Sequence, residues 1–225
     1  MDIHGKPVMT YRWVTFLLAG GYCLYQLLSS DYSAPGGPFR FLTIWALFLS
    51  FFAASRMLAR SEKRTSRTHH RTAMTAAILN VMVVFLYWKL FFTDPALVNG
   101  GGDIPFLQQY YLHALGPALQ VFDALFIARA FGRPWRAIPV LVGVIAAYVA
   151  WAELFVQRFN DQPSGSLTSG LPYPFLNSLD TAERMTFYST NVAVAVGLLA
   201  MFGALHWLLF RAQPAETEQE PAPQN

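Results

Sequence analysis

The sequence predicts an all-α membrane protein: a six-transmembrane-helix bundle with both termini cytoplasmic. Three observations lead there. The 225 residues are 54% hydrophobic and only 13% charged, about half the charged share of an ordinary soluble domain. The apolar residues come in blocks of roughly twenty, the length that crosses the hydrocarbon core of a bilayer. Finally, the basic residues gather in alternate connections between those blocks.

The blocks are Tyr11–Leu28, Phe39–Leu58, Ala73–Phe92, Phe106–Phe131, Ala137–Val156 and Tyr188–Phe210. The first has the look of a secretory leader, but it contains Tyr22, Tyr25 and Gln26 and lacks an A-x-A cleavage site, so it reads as a helix. The second and third are joined by RMLARSEKRTSRTHHRT, and the fourth and fifth by a connection with Arg129, Arg133 and Arg136. With Lys6, Arg12 and Arg211, six spans put twelve of the sixteen Lys and Arg residues on one side. Arg40, Lys89, Arg158 and Arg184 lie opposite, and the richer side is the cytoplasmic one. The transmembrane domain is then 1–211, and the tail 212–225, AQPAETEQEPAPQN, is polar, Pro-rich and expected to be disordered.

The outer connections differ in character. SDYSAPGGP and TDPALVNGGGDIP are Gly/Pro-rich turn material, whereas 157–187 is long for a loop and suits a cover over a site. Within it, Tyr173 and Phe175 are expected to rest on the lipid interface. The formal charge of +3 does not indicate nucleic acid, because the basic residues sit between membrane segments. A single cysteine, Cys23, excludes an intrachain disulfide framework and a multi-cysteine metal site. No metal and no cofactor is expected, and the phosphate-loop, H-E-x-x-H and G-x-S-x-G signatures are absent.

The fourth block carries the chemistry. His113, Gln120 and Asp123 interrupt its apolar run, and with Tyr110 and Pro117 they fall near one stripe of a helix. Ionisable groups at membrane depth are costly and commonly functional. Depth then suggests a partner. Thr43 lies four residues into the second block, roughly 6 Å, and His113 seven residues into the fourth, roughly 10 Å. Both blocks start on the outer side, so the two side chains can meet if these helices are neighbours. A hydroxyl becomes a nucleophile beside a base, most often a neutral imidazole, and low-dielectric surroundings favour that uncharged form. Such a pair suits attack on an ester dissolved in lipid.

Plainer readings exist for each residue. A membrane threonine commonly bonds back to its own helix, and a buried histidine commonly bridges helices. Asp123 stands about 15 Å along the axis from His113, too far to complete a triad. It reads as a buried, hydrogen-bonded carboxyl near Arg129 or Asn80. Glu153 is at the depth to orient His113, and Asn191, Tyr110 and Trp88 are candidate oxyanion donors.

Three stretches carry a resemblance: GGPFRFLTIWALFLSFF (Gly36–Phe52), YYLHALGPALQVFDALF (Tyr110–Phe126) and GLPYPFLNSLDTAERMTFY (Gly170–Tyr188). In order and spacing they resemble the androgen-induced protein family. There a G-G-x-[FW]-[KR]-[FY]-L-T segment supplies a threonine, matching Thr43. A histidine followed ten residues on by an acid matches His113 and Asp123, and a Y-P-F-L element matches Tyr173–Leu176. The likeness implies a multi-pass membrane hydrolase with a threonine nucleophile and a histidine, acting on fatty acid esters of hydroxy fatty acids. The NGGGD run at Asn99–Asp103 departs from that pattern.

The expectation is therefore an intramembrane lipid-ester hydrolase with Thr43 as nucleophile and His113 as general base. Its partners are a lipid ester and membrane lipids, and its place a bacterial inner (plasma) membrane. Two other readings use the same residues. In a transporter or lipid-binding regulator, His113, Gln120 and Asp123 would line a path; in a purely structural protein they would be interhelical glue.

Overall fold

In the computed structural model the described residues are 2–99, 105–160 and 170–211. Among them all regular structure is helical. The first three long helices are α1 (Lys6–Ser29), α2 (Leu42–Ser61) and α3 (His70–Thr93). Phe106–Tyr110, Tyr111–Leu115, Gly116–Phe122 and Asp123–Ile127 then follow without a break as α4, with the second and fourth stretches wound as π-helix. Pro134–Phe159 is α5, with a π-turn at Ala152–Val156. Thr181–Phe210 is α6.

Four of these, α2, α3, α5 and α6, are long and apolar enough to cross a membrane. The other two, α1 and α4, are the helices whose polar residues face each other, which is why composition alone ranks them lower. Side chains such as Leu28, Leu107, Leu154 and Trp207 point outward and are exposed. A surface so rich in large apolar groups belongs against lipid rather than water.

Helix ends depart from the sequence reading where local polar chemistry overrides hydropathy. The last helix starts at Thr181 rather than Tyr188, because Asp180 accepts from the Glu183 N–H while the Glu183 side chain accepts from the Asp180 N–H. That reciprocal box satisfies two otherwise orphaned donors. The fourth helix stops at Ile127 rather than Phe131, since Arg129 takes a left-handed conformation (φ 47°). The second starts at Leu42 rather than Phe39, after a 3-10 turn at Gly37–Arg40. The expected tail, the part of NGGGD after Asn99 and the middle of the 157–187 connection lie outside the described residues.

Helix α1 packs on α2, α2 on α3 and α3 on α4, while α6 crosses α3 and α5. The main apolar core is formed by Met74, Ile78, Phe131, Leu141, Leu199 and their neighbours. The beginning of α1, the end of α2 and the segment after α4 share one end of the bundle with the end of α6: His4 Nδ1 meets the Ser61 carbonyl at 3.0 Å, and Arg129 lies over Phe210. This is called the basic end below.

A buried polar cluster closes that end. Arg12 stands only 1% exposed and donates to both Asp123 oxygens, at 2.9 and 2.8 Å. Its remaining donors reach the Met57 carbonyl (3.0 Å) and Ser61 Oγ (2.9 Å), and Ser61 donates on to the Ile3 carbonyl. The sequence reading placed Arg12 among the flanking charges and set Asp123 near Arg129 or Asn80. Both are corrected: Arg12 and Asp123 pair with each other, and Asn80 donates to Ser50 Oγ and the Ala76 carbonyl.

Candidate active site

At the opposite end the helices leave a cavity of about 530 Å³, ample for part of a lipid chain. Thr43 and His113 both line it. Its wall is mostly apolar, with Leu79, Met82, Val83 and Leu86 from α3 and Ile145 from α5, and polar groups enter at a few points. That combination is the usual form of a small-molecule site.

The glycines of the GGPFRFLT stretch explain how Thr43 is placed. Gly36 and Gly37 have φ of 82° and 48°, a left-handed region that other residues enter at a cost. A Cβ on Gly36 would lie 2.9 Å from Val156 Cγ2, and one on Gly37 2.8 Å from Tyr32. The tight reversal delivers Phe39 and Arg40 to the start of α2, so that Thr43 falls in its first turn, at the positive end of the helix dipole. Two tyrosines then pin this start. The Leu42 N–H donates to the Tyr173 hydroxyl (3.1 Å), and Tyr148 donates to the Arg40 carbonyl (3.0 Å). Tyr173 therefore turns inward, packing on Phe41, where the sequence reading had it resting on the lipid interface. Phe175 and Leu176 of the same element also line the cavity.

The Thr43 hydroxyl differs from five other helical hydroxyls; Thr15 and Thr75 are also unpartnered, but outside the large cavity. Ser29, Ser50, Thr93, Thr186 and Ser189 all donate to the carbonyl four residues back in their helices. For Thr43 that carbonyl would be Phe39, which accepts the Trp45 indole N–H at 2.8 Å instead. Thr43 has no hydrogen bond among the described residues, and its hydroxyl is left to whatever occupies the cavity.

His113 is fixed on every side. It sits in the π-turn Tyr111–Leu115, and the cause is Pro117. A proline lacks the N–H that would bond the carbonyl four residues earlier, and its ring crowds that carbonyl. The carbonyl so released is that of His113, and Trp88 Nε1 donates to it at 2.9 Å. The chain relaxes by an i to i+5 bond from the Gly116 N–H to the Tyr111 carbonyl, the hallmark of a π-bulge. The imidazole stacks on Tyr87 with centroids 3.5 Å apart, and the Tyr87 hydroxyl is held by the Gln109 side chain. His113 Nδ1 lies 3.2 Å from the Gln109 carbonyl. A carbonyl can only accept, so Nδ1 carries the proton and Nε2 presents its lone pair.

The remaining expected residues are distributed as follows. Asn191 lines the cavity, with its amide donating to the Phe187 carbonyl at 2.8 Å. Trp88 stands behind His113, its N–H already used. Tyr110 is half exposed and stacks on Phe106 outside the cavity lining. Glu153 does not orient His113: it accepts from Arg184 (3.1 Å) and the Tyr188 hydroxyl (2.8 Å). Asp123 is spent on Arg12, and Gln120 Nε2 donates to the Ser50 carbonyl. The supposed stripe therefore divides, with His113 on the cavity and the other two in the packed interior. Of the groups that hold His113, the Gln109 carbonyl and Tyr87 escaped the sequence reading, and Pro117 was read only as part of the stripe. The Pro117 spacing was the one signal that could have exposed them.

Helices α2 and α4 are neighbours, joined through Leu47, Tyr111 and Leu112. The family model described as FAR-17a/AIG1-like protein matches residues 8–206. The chain belongs to the FAR-17a/AIG1-like family. This match reaches into every long helix and includes Thr43, His113 and the Y-P-F-L element whose tyrosine pins α2. No curated protein and no solved structure matches the chain.

Proposed function

We propose that this FAR-17a/AIG1-like protein is an intramembrane ester hydrolase, with Thr43 as nucleophile and His113 as general base, acting on lipid esters such as fatty acid esters of hydroxy fatty acids. The observation that carries the reading is an unbonded threonine hydroxyl sharing an apolar cavity with a histidine whose tautomer is set. His113 Nε2 takes the hydroxyl proton while Thr43 Oγ1 attacks the ester carbonyl. The tetrahedral intermediate collapses, the ester C–O bond breaks, and the alcohol leaves with the proton from His113. Water then gives a proton to the same nitrogen and attacks the acyl-threonine, releasing the acid and the free hydroxyl. Asn191 is the expected side chain that meets the developing oxyanion, since it alone of the three candidates lines the cavity.

All six helices span the membrane in this reading, with the basic end cytoplasmic and the cavity opening toward the outer leaflet of a bacterial inner membrane. The excess of Lys and Arg at that end supports the orientation. The test is hydrolysis of a long-chain lipid ester by the purified protein, with Thr43→Ala and His113→Ala alongside. Wild-type turnover that disappears in both variants is the expected result; turnover surviving intact in either one ends the proposal. A fluorophosphonate probe should label wild type and the exposed-site control Thr190→Ala, but not Thr43→Ala. A protein that binds lipid esters in the cavity without cleaving them would instead be a lipid-binding regulator.

A further inference from the structure

Besides Thr43, two hydrogen-bond donors in the cavity wall have no acceptor among the described residues. Gln26, near the end of α1, is only 5% exposed, and its Nε2 is cut off from solvent without a partner. Its carbonyl oxygen does accept, from Ser30 Oγ at 3.4 Å. Arg40 lines the same cavity, and its Nε is likewise shielded and unpartnered. The guanidinium lies over the Phe41 ring at 4.9 Å and enters no ion pair among the described residues. A shielded donor that is left unpaired costs stability. Arg12 is tied to Asp123 and Arg184 to Glu153; Arg56 and Arg60 also keep a shielded nitrogen unpartnered, but outside the cavity.

We infer that the cavity mouth receives the free carboxylate of an amphipathic lipid ester, with Arg40 and Gln26 as its hydrogen-bond donors. A carboxylate supplies what both lack, acceptor oxygens with a negative charge, and arginine presents the planar fork that matches it. The apolar wall below, formed by Leu79, Met82, Val83, Leu86 and Leu90, takes the hydrocarbon. Arg40 lies three residues before Thr43, so a ligand anchored there by one end is held beside the nucleophile. Among the described residues Asp31 is the one acid lining this cavity. Bonds from the Ser33 N–H (2.8 Å) and hydroxyl (2.6 Å) hold its carboxyl below the usual carboxylate range, so it stays charged. It is exposed and faces Ser33, and it moderates the charge of Arg40 without using the guanidinium donors.

This inference rests on the ester-hydrolase reading for its kinetic test and is separable from it by binding. Two substrates are compared in detergent-solubilised full-length protein: a fatty acid ester of a hydroxy fatty acid with its carboxylate free, and the same compound as its methyl ester. Wild type should prefer the free acid by about tenfold or more in kcat/KM, and Arg40→Gln and Gln26→Leu should each pull that ratio toward one. Equal use of both substrates by wild type, or an unchanged ratio in Arg40→Gln, overturns the inference while leaving the hydrolase reading in place. If neither compound is cleaved, the hydrolase reading fails, and thermal stabilisation by oleate against methyl oleate decides the rest. Oleate should then shift wild type more than Arg40→Gln, and equal shifts in the two proteins refute the carboxylate site. Gln26→Leu also guards against a folding artefact, because removing a buried amide whose nitrogen is unpaired should raise the melting temperature of the empty protein while weakening the preference for oleate.

Discussion

At the basic end, Arg12 and Asp123 spend their donors and acceptors on each other, on Ser61 and on the Met57 carbonyl. At the cavity end, Thr43, Gln26 and Arg40 keep side-chain donors unspent, and His113 keeps a ring nitrogen free. Both sets are carried by the same pairs of packed helices, so the contrast does not come from the kind of residue available. It comes from backbone detail: the glycine reversal before α2 and the proline in α4 set side chains on a void at one end, while the other end packs shut. Near the cavity Glu153 is satisfied by Arg184 and Tyr188. Unspent donors also occur elsewhere, at Arg56, Arg60, Trp151 and His206; what sets Thr43, Gln26 and Arg40 apart is that they line a cavity of about 530 Å³.

The largest effects should come from exchanging one residue at each end. Thr43→Val keeps the shape and loses the hydroxyl, so ester turnover should fall by about 10³-fold or more. Because Thr43 makes no hydrogen bond, the stability change should stay within about 0.5 kcal/mol. Asp123→Asn should behave in the opposite way. Leaving Arg12 charged and buried without its counter-ion costs about 3–5 kcal/mol, seen as a lower denaturant midpoint. The double variant Arg12→Met with Asp123→Leu should recover most of that loss, since well-packed apolar replacements of buried pairs are often tolerated. A Thr43→Val protein that unfolds early, or an Asp123→Asn protein as stable as wild type, would erase the distinction between the ends.

Gly36→Ala probes how the cavity end is built. The added methyl meets Val156 at 2.9 Å in a left-handed backbone, at a cost of about 1–2 kcal/mol. The loss of activity should be disproportionate, on the order of 10²-fold, because displacing the start of α2 by about an ångström spoils the attack geometry. Melting curves and turnover measured on the same preparation separate the two effects. Turnover that falls only as far as the folded fraction would show that the reversal serves folding alone.

Much of this was legible in the sequence, and the misses have a common origin. Apolar blocks of the right length located all six long helices, because hydropathy is a local property. Depth along the blocks brought Thr43 and His113 to one level, and they do share a cavity. The same depth reasoning, applied to Arg12 near the start of α1 and Asp123 near the end of α4, would have paired them. It was not applied because Arg12 had been counted as a flanking charge. Arg184 was hidden in the same way, its helix having been started at Tyr188 and its side chain left to a loop. The partners of His113 were beyond reach, since a stacked Tyr87 and a backbone carbonyl leave no compositional mark. Pro117 was visible, but the meaning of its spacing from His113 depends on which side chain fills the gap.

That spacing supports the smallest and most specific prediction. Pro117 leaves the His113 carbonyl without its helical donor, and Trp88 supplies one from α3. Trp88→Phe should cost about 1–3 kcal/mol, the usual penalty for a buried acceptor left unpaired, beyond what the smaller ring loses in packing. It should also loosen the turn that carries the His113 imidazole. In a Pro117→Ala background the backbone regains an N–H at the right position, and the helix can close on the His113 carbonyl without help. Trp88→Phe should then be milder there by about 0.5 kcal/mol or more, a coupling that denaturant melts of the four proteins can resolve. Two substitutions that simply add would mean that the indole and the proline act separately, and that the π-turn under His113 has some other cause.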